Sequence, residues 1–308
     1  MSAAVLVSAA VLVHGADNFI GSQLVETLRQ QHGTQVHAVG AADEAALRRA
    51  LPGARAVAHC IIGSASLVER SGATLYRLLS GVAEAPRVVH LSSMSVYGSA
   101  TGSVDETCAM RGDLGPYSAS QVLAEGLAAK YGRAVILRSG VEYGPGCTTW
   151  SGRVARWLRA HRLGDLGEAG DGQCNLIYID DLLSVILSAL REPGIEGSVF
   201  NVAAEDKPTW NEYFIEYAVA LGAVPVRRIG VRRLSVEARI LAPVLKMAEI
   251  LSGGARGGSP LVPPPIPASL LRSCRHEISL NVTRVKNRLA AHWTPLAEGL
   301  RRTAKFYG

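Results

Sequence analysis

The chain has 308 residues, 48% hydrophobic and 19% charged, which excludes a fibrous or disordered protein and leaves enough to bury for one large α/β domain with a smaller lobe. Its net charge of +6 is unevenly spread: residues 227–308 hold 15 Lys and Arg against 4 Asp and Glu, a local +11, while residues 1–226 sit at −5. Such a basic third faces solvent, or an anionic substrate, carrier protein or membrane surface; no aromatic interleaving or reader motif accompanies it, so nucleic acid is not an expected partner. The five cysteines are scattered, with no Cys/His cluster, so reduced cytoplasmic thiols and no metal site are expected. The longest apolar run, 2–13, has no Lys or Arg before it and too few residues to span a bilayer, so neither a signal peptide nor a membrane span is expected.

In chain order, Ser-Ala-Ala-Val-Leu-Val occurs at 2–7 and again at 8–13, and the second copy, which abuts Gly15, is the expected first strand. Gly15 to Gly21 then reads as a tight turn opening a helix to about Gln31, in outline the fingerprint that brings backbone N–H groups and a helix N-terminus to a pyrophosphate. Asn18 stands where glycine is usual; asparagine tolerates positive φ, so the turn is expected to survive, but its side chain takes up room a diphosphate would use. A second strand, 34–39, ends at Gly40 with neither the acid of an NAD site nor the base of an NADP site. Asp43 is expected to cap a short helix over 44–51. A further strand, 54–62, follows, then a helix over about 74–82 and a strand from Arg87. Asp180 and Asp181 suit the positive end of a helix after the strand at 176–179. His14, His59 and His90 fall at strand ends and read as hydrogen-bonded core residues. Over 234–251 apolar residues recur at helical spacing, before a glycine run at 253–258 and three prolines at 263–265.

Three stretches carry a resemblance. Arg87-Val-Val-His-Leu-Ser-Ser-Met-Ser-Val-Tyr-Gly98, Pro116-Tyr-Ser-Ala-Ser-Gln-Val-Leu-Ala-Glu125 and Ala134-Val-Ile-Leu-Arg-Ser-Gly-Val-Glu-Tyr-Gly-Pro-Gly146 resemble the extended short-chain dehydrogenase/reductases of the NAD-dependent epimerase/dehydratase family. The likeness continues through Gly170-Asp-Gly-Gln173, Phe200-Asn-Val-Ala203 and Trp293-Thr-Pro295 and so spans nearly the whole chain. It implies a Rossmann-like, doubly wound parallel sheet, shortened in its first half because a strand and a helix are missing after Gly40, with a smaller C-terminal substrate lobe. The expected layout is one unit over 1–308, its core at about 8–170 plus 176–203 and the lobe at about 204–308 with parts of 141–175.

The resemblance also implies roles. Ser93 would orient a substrate oxygen, Tyr117 would give or take its proton, and Gln121 stands where the family has a lysine that lowers the tyrosine pKa and holds the nicotinamide ribose. Gly15, Asn18, Phe19, Ile20, Gly21 and Ile61 would meet NAD or NADP; Ser95, Val141 and Glu142 would meet substrate. The segment 234–267 resembles hydroxysteroid dehydrogenase-like members and points to a hydrophobic or carrier-bound small molecule. A homodimer is compatible with the resemblance. Three readings stand open: an NAD(P)-dependent oxidoreductase or epimerase; a cofactor-independent isomerase, cyclase, dehydratase or lyase using Tyr117 and Ser93; and a non-catalytic binding protein.

Overall fold

A computed structural model describes residues 10–230, 232–233, 266–289 and 291–308. The segment expected to form an apolar helix and proline-rich lid lies, as far as residue 265, outside the described residues, as does the first copy of the N-terminal repeat. The described residues divide into two compact units: those of Met1–Gly140, Ile179–Ala203 and Leu280–Trp293, and those of Val141–Tyr178, Ala204–Ser279 and Thr294–Gly308.

The first unit is built on β1 (Ala10–His14), β2 (Gln35–Val39), β3 (Ala56–His59), β4 (Arg87–Ser93), β6 (Ala134–Ser139) and β9 (Val199–Val202). Their order is β2-β1-β3-β4-β6-β9, with every pairing parallel. Strands such as β1 and β3 are buried at every residue, as in a sheet covered by helices on both faces, which is why they read as unbroken apolar runs. One face buries Leu12, Val57, Val88 and Ile136 against Leu47 and Leu51, Leu75 and Leu79, and Ala128. Those residues come from α2 (Glu44–Ala50) with the turn after it, α3 (Ala65–Leu79) and α4 (Pro116–Tyr131). The other face is covered by α1 (Phe19–Arg29) and α6 (Ile179–Arg191), with α9 (Thr283–Leu289) beyond them. A short strand, β5 (Gly102–Val104), lies between β4 and α4 in sequence. Because β3 pairs directly with β1 on the side away from β2, the first half of the sheet is one strand short and β2 is its edge among the described residues. Asp43 caps α2 through Ala46 N–H at 2.9 Å.

Register places three histidines in one row: His14 lies opposite His59, and His59 opposite His90. All three are buried, and the His59 ring lies 4.9 Å from each neighbour. His14 Nε2 donates to the Ala41 carbonyl at 3.2 Å, so its Nδ1 is the acceptor for His59 Nδ1–H at 3.0 Å. His90 Nδ1 bonds the Tyr76 hydroxyl at 3.0 Å, while its Nε2 has no partner among the described residues. Burial pulls His14 and His90 down from 6.5 to about 4 and holds His59 well below 6.5.

The second unit contains the parallel pair β7 (Val141–Tyr143) and β8 (Leu176–Tyr178), and the helices α5 (Arg153–Arg159), α7 (Trp210–Ala220), α8 (Ala268–Arg275) and α10 (Leu296–Tyr307). Its core is aromatic. Trp210, Tyr213, Phe214 and Tyr217 of α7 pack side by side, and Tyr213 meets Tyr143 at 6.2 Å between centroids. Among the described residues no helix is long and apolar enough to cross a membrane, and no group of His, Cys, Asp and Glu is arranged to hold a metal.

Candidate active site

The dinucleotide-type turn leaves the end of β1 at Gly15, whose φ of +94° a side chain would strain. Gly15 and Ala16 both donate to Val39 O, at 2.8 and 3.0 Å, which folds the turn back onto the end of β2. Gly21, in the first turn of α1, passes so close that a Cβ there would lie 2.0 Å from Gly15 O. These two glycines do what the fingerprint needs.

The turn survives with Asn18 in place, but Asn18 does not use the positive φ it can tolerate. Its φ is −107° and its ψ 176°, an extended N-cap. The reason is local: from that conformation Oδ1 reaches Ile20 N–H at 3.1 Å and Gly21 N–H at 3.0 Å, and Nδ2 donates to Cys60 O. Phe19 opens α1, and Ile61 is buried, 2.9 Å from where a Gly15 Cβ would stand. Beyond β2, Asp17 Oδ1 accepts from Ala41 N–H at 2.9 Å, and its carboxylate lies 3.2 Å from the Cβ position of Gly40. The N–H groups of Ile20 and Gly21, which open the first turn of α1, thus serve the Asn18 side chain.

Ser93 ends β4, where its Oγ accepts from Ser95 N–H at 3.2 Å and caps the short turn Met94–Tyr97. Gly115, at φ +112°, and Pro116 at the first helical position start α4, which puts Tyr117 in the first turn with 36% of its surface exposed. Next to it, Ser118 Oγ donates to Ser95 O at 2.6 Å, tying the start of α4 to the turn after Ser93. One helical turn on, Gln121 is buried, and its Nε2 donates to the Tyr117 hydroxyl oxygen at 3.0 Å. Gln121 Oε1 and Ser95 Oγ are buried without a partner among the described residues.

Beneath this edge lies a network of polar residues. Glu125, 2% exposed, accepts from Ser92 Oγ at 2.7 Å and from Arg138 Nε at 3.0 Å, and pairs with Arg138 Nη2. Arg138 continues to the Tyr97 hydroxyl at 2.9 Å, which donates to Asn201 Oδ1 at 2.6 Å. Burial, the largest single influence, would lower the Arg138 pKa; the hydrogen bonds and charge of Glu125 together with those of Tyr97 outweigh it and hold the guanidinium above its ordinary value. Sequence reasoning missed this network and Asp17. The only available signal was the eight-residue spacing from Tyr117 to Glu125, two turns along one helix.

Ser93, Ser95, Tyr117, Gln121 and the turn residues thus all belong to the first unit. Val141 and Glu142, the other expected substrate residues, are half-buried on β7 of the second unit.

A parallel sheet with a glycine turn after its first strand, a serine ending its fourth and a tyrosine in the first turn of the next long helix is the layout of Rossmann-type short-chain dehydrogenase/reductase-like enzymes. The chain belongs to the NAD dependent epimerase/dehydratase family, whose sequence model matches residues 11–203. Protein YeeZ of Escherichia coli strain K12 is 30% identical over 141 residues, 46% of this chain and 48% of that protein, so the chain spans about half the length of the curated relatives it matches. In fold it is similar to UDP-glucuronic acid 4-epimerase from Bacillus cereus, solved with UDP-glucuronic acid and NAD (TM-score 0.72, 18% identity, 97% of this chain and 98% of that one). It is also similar to dTDP-glucose 4,6-dehydratase from Bacillus anthracis, solved with NAD (TM-score 0.71, 17% identity, 97% and 96% covered), and to RMD from Pseudomonas aeruginosa with NADPH (0.71, 16%, 97% of each).

Proposed function

We propose that the chain is an enzyme that moves a proton to or from an oxygen of a small carbonyl or alcohol, with Tyr117 as the acid or base and Ser93 orienting the reacting oxygen. The Gln121–Tyr117 hydrogen bond carries this reading. Because Gln121 Nε2 donates to the phenol oxygen, the phenol proton points elsewhere, and Tyr117 presents an O–H donor from a position 36% exposed. Once that proton is given up, the phenolate keeps the same hydrogen bond. The bond comes from a neutral amide, so the phenolate is less stabilised than beside a lysine, and Tyr117 serves better as an acid than as a base near neutral pH. Met110 and Leu114, 38% and 49% exposed in the loop leading into α4, support an apolar substrate.

The test is proton NMR in deuterated buffer over a panel of apolar hydroxy-ketones and β-hydroxy acyl compounds. Exchange or conversion by the wild type, lost in Tyr117→Phe and reduced in Ser93→Ala, is the expected result. Equal exchange in all three proteins would remove the proposal. A second reading, an NAD(P)-dependent oxidoreductase or epimerase, is favoured by the family membership and by the intact Gly15 and Gly21 geometry. It needs the same proton transfer, coupled to hydride.

A further inference from the structure

We infer that the chain fills its own pyrophosphate seat with Asn18 and holds no nicotinamide nucleotide there, so that the Tyr117 proton transfer proposed above, on which this inference rests, runs without hydride exchange. In a fingerprint turn, the N–H groups of the first helical turn are open to a phosphate oxygen, and glycine at the cap keeps the approach clear. Here the Asn18 side-chain oxygen Oδ1 occupies that place, accepting from Ile20 and Gly21 N–H at 3.1 and 3.0 Å. Its Nδ2 also donates to Cys60 O at the end of β3, so the side chain is held from both sides of the turn. A diphosphate would have to displace all three hydrogen bonds and leave the Cys60 carbonyl without this donor.

Two further observations agree. Asp17 is pinned to Ala41 N–H at 2.9 Å, with its carboxylate over Gly40, so a fixed negative charge stands beside the turn that two phosphate charges would have to enter. At the other end of the expected cofactor path, Gln121 brings no charge to a ribose, and one of its two amide N–H groups is engaged with the Tyr117 hydroxyl. Since no electrons leave the substrate, the reactions open to this site are redox-neutral proton shifts: isomerisation, cyclisation, or elimination and addition of water.

The test is binding, independent of turnover, on the full chain. NADH and NADPH are titrated by fluorescence and calorimetry into wild type, Asn18→Gly and Asn18→Asp, with thermal melts to confirm folding, and denatured wild type is checked for released nucleotide. Wild type is expected to release none and to show no saturation at millimolar nucleotide. Asn18→Gly, which opens the seat, is expected to bind at least tenfold tighter, about 1.4 kcal/mol. Asn18→Asp keeps the cap and adds a charge, so it should behave as wild type. Micromolar binding by wild type, or indistinguishable behaviour of wild type and Asn18→Gly, would overturn the inference. Micromolar binding would leave the Tyr117 chemistry standing, whereas Tyr117-independent exchange would sink that chemistry whatever the binding result.

Discussion

Lowering the pH from 7 to 5 should destabilise this protein through its histidine row. His14 and His90 are neutral in the folded state, with pKa values drawn by burial from 6.5 to about 4, while the unfolded chain takes up protons near 6.5. Between those values the unfolded state binds more protons, so stability is complete above about pH 6.5 and is lost as pH falls toward 4. The difference corresponds to about 3 kcal/mol per histidine at its limit, and the fraction reached at pH 5 is about 2 kcal/mol each, or about 4 kcal/mol for the pair. His59 adds in the same direction. Charges near His14 do not reverse the sign. Asp17 raises its pKa slightly, and Glu44 and Arg70, which line the adjoining cavity of about 270 Å³, carry opposite charges. His90 meets His59 of β3 and the Tyr76 hydroxyl of α3, both neutral, and burial is what lowers its pKa. For a chain of this size 4 kcal/mol is about 6 °C in melting temperature. Differential scanning calorimetry at pH 7, 6 and 5 reads the slope, and His90→Gln, which cannot titrate, should remove about 2 kcal/mol of the pH 7 to 5 loss. A melting temperature that is flat across this range, or a slope untouched by His90→Gln, would refute the reasoning.

Three other substitutions have effects set by the geometry. Glu125→Gln strands the buried Arg138 charge and should cost about 3–5 kcal/mol in a denaturant melt, whereas Glu125→Met with Arg138→Met, which removes both charges, should recover a good part of it. Gly21→Ala puts a methyl 2.0 Å from Gly15 O and should destabilise by about 3 kcal/mol or prevent soluble expression, while Gly126→Ala, where nothing lies within 4 Å, should be neutral or slightly stabilising. Arg87→Ala removes a half-buried guanidinium that donates to Glu192 O at 2.6 Å beyond the end of α6 and pairs with Glu196; a loss of about 1–3 kcal/mol is expected in the same melt.

The parallel sheet, its missing strand and the Ser93–Tyr117 layout were legible because they are local: buried apolar runs, a glycine turn and a proline-started helix each announce themselves within a few residues. Asn18 shows where locality ends. Tolerance of positive φ was a reasonable expectation from residue type alone, but the extended cap it adopts is fixed partly by Cys60 O, 42 residues away just past the end of β3. His14 and His59 do end β1 and β3, but His90 lies in the middle of β4, and the alignment of the three into one buried row depends on the register of three parallel strands, which periodicity does not specify. Asp17 is hidden for a similar reason: its carboxylate meets Ala41 N–H, 24 residues away beyond β2, a contact that local spacing does not specify.

Glu125 meets β4 at Ser92, one residue before Ser93, and stands two turns beyond Tyr117 on α4, while its partner Arg138 lies on the neighbouring strand β6. Support and the chemistry proposed above therefore fall on different residues of adjoining elements. If Tyr117 acts as proposed, a change at the rim, such as at Gln121, would alter what the tyrosine can do without loosening the strand and helix that present it. A scaffold divided in this way can change its reaction by single substitutions at its mouth, each tested by selection on an otherwise undisturbed fold.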